Sequence, residues 1–137
     1  FAIAPATPLL ARARFGARLT PEIDPGQNNR GGPTMIHVIA IITAKPGQRD
    51  HILEAFRANM AAVRAEQGCI EYGPAVDAPE MGGFQTKFGP DVFVVIEKWA
   101  SKEALAAHAA SPHMASYSAK TKEWIASRVI HVLEPAG

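Results

Sequence analysis

The run Ile36-His37-Val38-Ile39-Ala40-Ile41-Ile42-Thr43 is almost wholly apolar and β-branched. Such side chains are stiff about χ1 and pack well on a pleated surface. A continuous apolar run, as opposed to an alternating one, marks a strand covered on both faces, at the centre of a sheet. This constrains the fold more than any other feature. The chain must supply neighbouring strands, a helical layer for one face and some cover for the other.

The rest of the sequence is read in that light. Lys45-Pro46-Gly47-Gln48 breaks the strand with turn residues. Ile52, Leu53, Phe56, Met60 and Val63 then recur at helical spacing and form one apolar stripe, with Arg57, Arg64 and Glu66 lying elsewhere. Gly68 supplies a left-handed stop. Cys69 to Asp77 reads as a second strand, and Gly73-Pro74 within it implies a sheet edge or a bulge. Residues 78–90 are rich in Gly and Pro and read as a loop or wide hairpin in which Phe84-Gln85-Thr86 pairs briefly. Val92 to Trp99 is a third strand. Ser101 caps a short helix carrying Leu105 and His108. Ser111-Pro112 is a second start signal, a cap followed by proline at the first helical position. Met114, Tyr117, Thr121, Trp124 and Ile125 continue one helical face, and Arg128 to Glu134 is the last strand.

The predicted order is β-α-β-β-α-α-β, an α+β ferredoxin-like sheet with its helices on one face. The other face then lacks cover. Ile36, Val38 and Ile42 or their alternates, with members of Val92–Ile96, are the apolar residues concerned. A second subunit is the economical cover, so a homodimer with two sheets face to face is expected.

Composition sets limits on function. Hydrophobic residues make up 47% and charged residues 20% of the 137, which is ordinary for a globular chain. From Met35 onward ten Lys/Arg face eleven Asp/Glu, so the domain offers no basic surface for nucleic acid. One cysteine, Cys69, excludes an internal disulfide framework and fits a reducing compartment, the cytoplasm. No apolar run reaches membrane-spanning length.

Residues 1–34 differ in kind. They are rich in Ala, Arg and Pro, carry four arginines against Glu22 and Asp24, and show no sustained apolar period. Arg30-Gly31-Gly32 is compatible with purine-rich codons at the distance of a ribosome-binding sequence from Met35. Residues 1–34 are therefore expected to be a poorly ordered leader or upstream-translated segment, and the domain to span 35–137. Mass spectrometry of the native N-terminus tests this; a native peptide spanning Thr34 to Ile36 would refute it.

The candidate chemistry lies between Val92 and Met114. Phe93, Val95, Glu97 and Trp99 share one strand face, where a carboxylate is costly unless it is partnered or used. His108 shares a helix face with Leu105 and turns inward, and His113 sits at the second position of the following helix. Each alone has an ordinary structural reading; the group is more informative. His108 and His113 are separated by a Ser-Pro break with no Cys or carboxylate cluster nearby, so no metal site is expected. Ser111 beside His113 does not have nucleophile–base geometry.

Ile96-Glu97-Lys98-Trp99-Ala100-Ser101, with Leu105, His108, Ser111-Pro112-His113-Met114 and Tyr117-Ser118, resembles the signature of the antibiotic-biosynthesis-monooxygenase domain. Gly68-Cys69-Ile70-Glu71-Tyr72 resembles its second-strand motif. Pro74, Val76-Asp77, Phe84-Gln85 and Pro90-Asp91 bring the chain nearest the bacterial quinol monooxygenases. The resemblance runs from Met35 to Pro135. It implies a dimeric α+β barrel that oxidises quinols or related phenolic aromatics with O₂, without metal or flavin. In that setting an electron-rich phenolate hands an electron to O₂, which needs an apolar slot, a base and a group to stabilise reduced oxygen. His108 is the candidate base or hydrogen-bond partner. Trp99, Tyr72 and Phe93 are expected to form the slot, with His113 and Met114 at its rim, and Glu97 to orient a histidine or remain structural. Haem-degrading relatives carry an asparagine in the first strand, which is absent from Ile36 to Thr43. Two other readings compete: an enzyme that isomerises or degrades a small sugar-derived signal, whose branch tends to carry tyrosine in place of Trp99, and a non-catalytic dimeric binding module.

Overall fold

The computed structural model describes residues 34–137; the expected leader, apart from Thr34, lies outside the described residues. β1 (Ile36–Ala44) is followed by α1 (Arg49–Arg64), β2 (Cys69–Ala75), β3 (Val92–Trp99), α2 (Lys102–Ala109), α3 (Pro112–Thr121), a 3-10 turn (Lys122–Trp124) and β4 (Ile125–Leu133). The four strands form one sheet in the order β2-β3-β1-β4, and every adjacent pair is antiparallel. This is the ferredoxin-like α+β architecture expected.

The continuous apolar run takes a central place because both its edges are paired. β1 pairs with β3 from Ile36↔Trp99 to Thr43↔Val92, and with β4 from His37↔Leu133 onward. Ile36, Val38, Ala40, Ile42 and Ala44 are buried on the face shared with Phe93, Val95, Glu97 and Trp99. Ile52, Leu53, Phe56 and Val63 of α1 join that core. Phe56 lies at its middle, stacked on Tyr72 with ring centroids 5.0 Å apart and edge-on to Phe93 at 5.8 Å. Burying one such side chain contributes about 1.5–3 kcal/mol. The face away from this core consists of the alternates: Ile39 and Ile41, with Ile96, Val94 and Val129 opposite them in register, are only half-buried or exposed.

Several local expectations are corrected. β2 is an edge strand, as Pro74 requires, but its register shift falls between Cys69 and Glu71, not at Gly73-Pro74. Phe84-Gln85-Thr86 pairs with nothing, and Phe84 is exposed. The loop is instead closed by side chains: the Asp77 carboxylate accepts from the Phe88 and Gly89 amides at 3.0 and 2.8 Å, and Gln85 donates to the Ala78 carbonyl at 2.8 Å. Those two amides hold the Asp77 carboxyl below its ordinary range. The face of α3 ends at Thr121; Trp124 closes the 3-10 turn and Ile125 already opens β4, although both still pack on the core. Ser101 caps α2 as expected, accepting from the Ala104 amide at 3.1 Å. Ser111 occupies the cap position of α3 but makes no side-chain cap; its hydroxyl donates to the His108 carbonyl at 2.8 Å.

Candidate functional site

Between the sheet and the helices lies a cavity of about 400 Å³, walled by Val38, Ala40, Phe56 and Leu105 among others. Its lining is mainly apolar, and its polar members are few: Tyr72, Glu97, His108, Tyr117, Ser118 and Arg128. A mostly apolar enclosure with a few convergent polar groups is the usual form of a small-molecule site.

The strand period delivers Glu97 to the cavity. It lies directly opposite Val38 on β1 and Tyr72 on β2, on the inner face. Its Oε1 accepts from the Trp99 indole N–H at 2.8 Å, two residues along the same strand face. Burial pushes the Glu97 carboxyl up, partly offset by that hydrogen bond and by His108, while the charge of Glu66 pushes it up further. Trp99 is fully buried and lies beside His108, with ring centroids 4.6 Å apart. Tyr72 meets the same imidazole edge-on at 5.5 Å, and burial pushes its phenol well above its ordinary range.

His108 is turned inward by α2 and is 4% exposed. Its Nδ1 lies 3.1 Å from Oε2 of Glu66, which follows the end of α1. His113, at the start of α3, brings its Nε2 to the same oxygen at 2.5 Å and to the Ser111 hydroxyl at 3.3 Å. An ionised carboxylate only accepts, so these bonds put hydrogens on His108 Nδ1 and His113 Nε2. Neutral His108 then keeps Nε2 as an acceptor on a residue that lines the cavity. Both imidazoles converge on the carboxylate itself. Among the described residues no group of three or more His, Cys, Asp and Glu side chains is placed to hold a metal ion.

The structure thus divides the expected site residues. Tyr72, Glu97, His108 and Met114 line the cavity. Trp99 and Phe93 are fully buried in the core and are not among the lining residues, and His113 contacts Glu66 instead of the cavity. The carboxylate in contact with His108 and His113 is Glu66, and the bonded partner of Glu97 is Trp99. Glu66 carries no periodic signal because it lies beyond the end of α1 and 42 residues before His108. Its position just before Gly68-Cys69 is the only local sign. Arg128 and Tyr117 carry only a strand and a helix pattern in the sequence. Burial pushes the Tyr117 phenol up to about 12, and the Arg128 guanidinium pulls against that shift.

Gly68 sets the distance between these elements. At φ +87° it turns the chain from α1 into β2, and its missing side chain admits Ala104 of α2: a Cβ built there would lie 2.6 Å from the Ala104 Cβ. The Gly68 carbonyl also accepts from the Ala100 amide at 2.8 Å. The helix that carries His108 is thereby seated against the turn that carries Glu66.

Comparison with known proteins bears on the family and the fold. The family model described as antibiotic biosynthesis monooxygenase matches residues 35–120. The Escherichia coli (strain K12) protein named probable quinol monooxygenase YgiN is 39% identical over 103 residues, covering 74% of this chain and 98% of that protein. A solved structure from Pseudomonas aeruginosa superposes with a TM-score of 0.63 at 28% identity, over 76% of this chain and 96% of that one. One from Mycobacterium tuberculosis gives 0.63 at 27% identity, over 76% and 97%. The chain belongs to the antibiotic biosynthesis monooxygenase family of enzymes.

Proposed function

We propose that this monooxygenase is cofactor-independent and oxidises quinols or related phenolic aromatics with O₂. The observation that carries the reading is a mainly apolar cavity of about 400 Å³ whose wall includes a buried histidine held by a carboxylate outside the cavity lining. The name of the Escherichia coli relative supports the quinol class.

In this reading the aromatic ring lies in the cavity, and His108 Nε2 takes the proton of one hydroxyl. Glu66 fixes the imidazole tautomer and stabilises the imidazolium that forms. The quinolate is electron-rich enough to pass an electron to O₂. Recombination at a ring carbon, loss of water and return of the proton give quinol + O₂ → hydroxyquinone + H₂O, in which one oxygen atom enters the product and the other leaves as water. The protonated Glu97 that burial favours, or the Tyr72 hydroxyl, donates a hydrogen bond to the reduced oxygen. Met114 completes the wall.

The active form is a homodimer in this proposal. Ile39, Ile41, Val94 and Ile96 form an apolar strip on the sheet face away from the helices, and a second copy is the economical cover. Among the described residues no helix is long and apolar enough to cross a membrane, and a single free thiol supports a cytoplasmic location.

Oxygen uptake with 1,4-naphthohydroquinone tests the proposal. Wild-type protein is expected to exceed the spontaneous rate, label from ¹⁸O₂ is expected in the quinone product, and His108→Gln should lower kcat. Uptake at the spontaneous rate, with a folded protein, overturns it.

A further inference from the structure

The cavity is electrically polarised. Glu97 and His108 stand at one end, with Glu66 behind them. Among the described residues Arg128 is the only Lys or Arg in the lining, and it stands at the other. The sheet register fixes this separation. Arg128 pairs with Ile42 on β1, whereas Glu97 pairs with Val38 from the opposite side of the same strand. Four residues along β1 amount to about 13 Å, and β3 and β4 lie about 10 Å apart across it. The two groups therefore mark diagonally opposite ends of the inner sheet face.

Arg128 lies on the inner face of β4, an edge strand exposed along most of its length, and is itself exposed. Its inner-face neighbours on β4 are Ile130 and Val132, which line the same cavity. The ion pairs among the described residues join Lys98 to Glu71, Lys102 to Glu134, and His108 and His113 to Glu66. None involves Arg128, and neither does any side-chain hydrogen bond of the described residues. Between the ends, Tyr117 and Ser118 are the polar members of an otherwise apolar wall.

We propose that Arg128 forms an anion subsite, so that the cavity selects a quinol bearing a carboxylate on the side of the ring system remote from the hydroxyl at His108. The proposal rests on the quinol reading and narrows its substrate class. A guanidinium binds a carboxylate through a planar fork, which fixes direction as well as adding affinity. The Glu66 carboxylate behind the far end repels the same anion. Attraction at one end and repulsion at the other admit a single orientation, with the hydroxyl toward the base. A packing role for Arg128, its methylene stem covering apolar surface, is the alternative to be separated.

Redox-inert naphthols separate binding from turnover. The ligands are 6-hydroxy-2-naphthoate and its uncharged methyl ester, titrated into wild-type protein, Arg128→Met and Arg128→Lys by calorimetry. Wild type is expected to bind the acid about tenfold more tightly than the ester, a preference that shrinks as salt is raised. Arg128→Met keeps an aliphatic stem and should abolish the preference; Arg128→Lys keeps charge without the fork and should retain part of it. Equal binding of acid and ester by wild type, a preference that survives in Arg128→Met, or no binding of either ligand overturns the proposal. Oxygen uptake reports separately on the quinol reading, so uptake can persist where the charge preference fails, and the preference can hold where uptake fails.

Discussion

Gly68→Ala probes the spacing on which the site depends. Two penalties follow from the structure. The residue has φ +87°, and a left-handed conformation costs an L-residue about 1–2 kcal/mol. The added methyl would meet the Ala104 Cβ at 2.6 Å, a contact that must open by about 1 Å, and such overpacking costs about 1–3 kcal/mol. The reduced freedom of the unfolded chain returns about 0.4–1 kcal/mol. The net loss is about 2–4 kcal/mol, a large share of the 5–15 kcal/mol typical of a domain. Urea titration measures it. The informative partner is Ala104→Gly, which costs about 1 kcal/mol alone through helix propensity. In the double variant the clash is gone while the backbone strain stays, so the two changes should couple favourably by about 1–3 kcal/mol. If Gly68→Ala displaces α2, His108 moves relative to Glu66, and oxygen uptake should fall in the single variant and recover in the double. A loss below about 1 kcal/mol, or additivity within about 0.5 kcal/mol, would refute the packing argument.

Glu66→Gln replaces an ionised acceptor of two imidazoles with a neutral one. At the difference between charged and neutral hydrogen bonds, stability should fall by about 1–3 kcal/mol, and kcat should fall while the naphthol ligands still bind; unchanged kcat would remove Glu66 as a positioning residue. Glu97 gives a pH signature. Its folded pKa is raised, so below the ordinary glutamate range of about 4.3 both states are protonated and burial is free of charge penalty. As pH rises towards the folded pKa the unfolded state ionises first and stability is lost. Glu97→Gln keeps an oxygen to accept from Trp99, so its Tm should gain on wild type as pH rises above the ordinary glutamate range of about 4.3; a difference that does not change with pH would show that burial does not raise the carboxyl. Ser101→Ala removes the cap on the Ala104 amide and should cost about 1 kcal/mol in urea titration; no loss would mean that the cap is dispensable.

Much of the frame was legible because it is written in local periods. The period of two put Glu97 and Trp99 on one face and the period near 3.6 turned His108 inward, and the structure keeps both. Proline at position 74 announced an edge strand, and Gly68 announced a helix stop. The failures share a cause. Phe84-Gln85-Thr86 has strand-like residues, yet the Asp77 carboxylate takes the Phe88 and Gly89 amides and closes a loop instead. Ser111 has the composition of a cap, yet its hydroxyl goes to the His108 carbonyl. In both cases the local chain carries a side-chain-to-backbone bond spanning 3 to 12 residues, and composition does not record which such bonds form.

The sequence by itself determined the elements, their order, the inner face of each strand and the family, because each of these depends on neighbours along the chain. It also placed His108 correctly, since one helical face suffices to turn a side chain inward. Tertiary structure alone decided which groups act together. Glu66 reaches His108 and His113 across 42 and 47 residues because α1, α2 and α3 converge at one corner. The same closure took Trp99 and Phe93 out of the cavity wall and left Arg128 in it. Distance in space, not spacing in sequence, sets hydrogen bonds and charge, and those assign the roles.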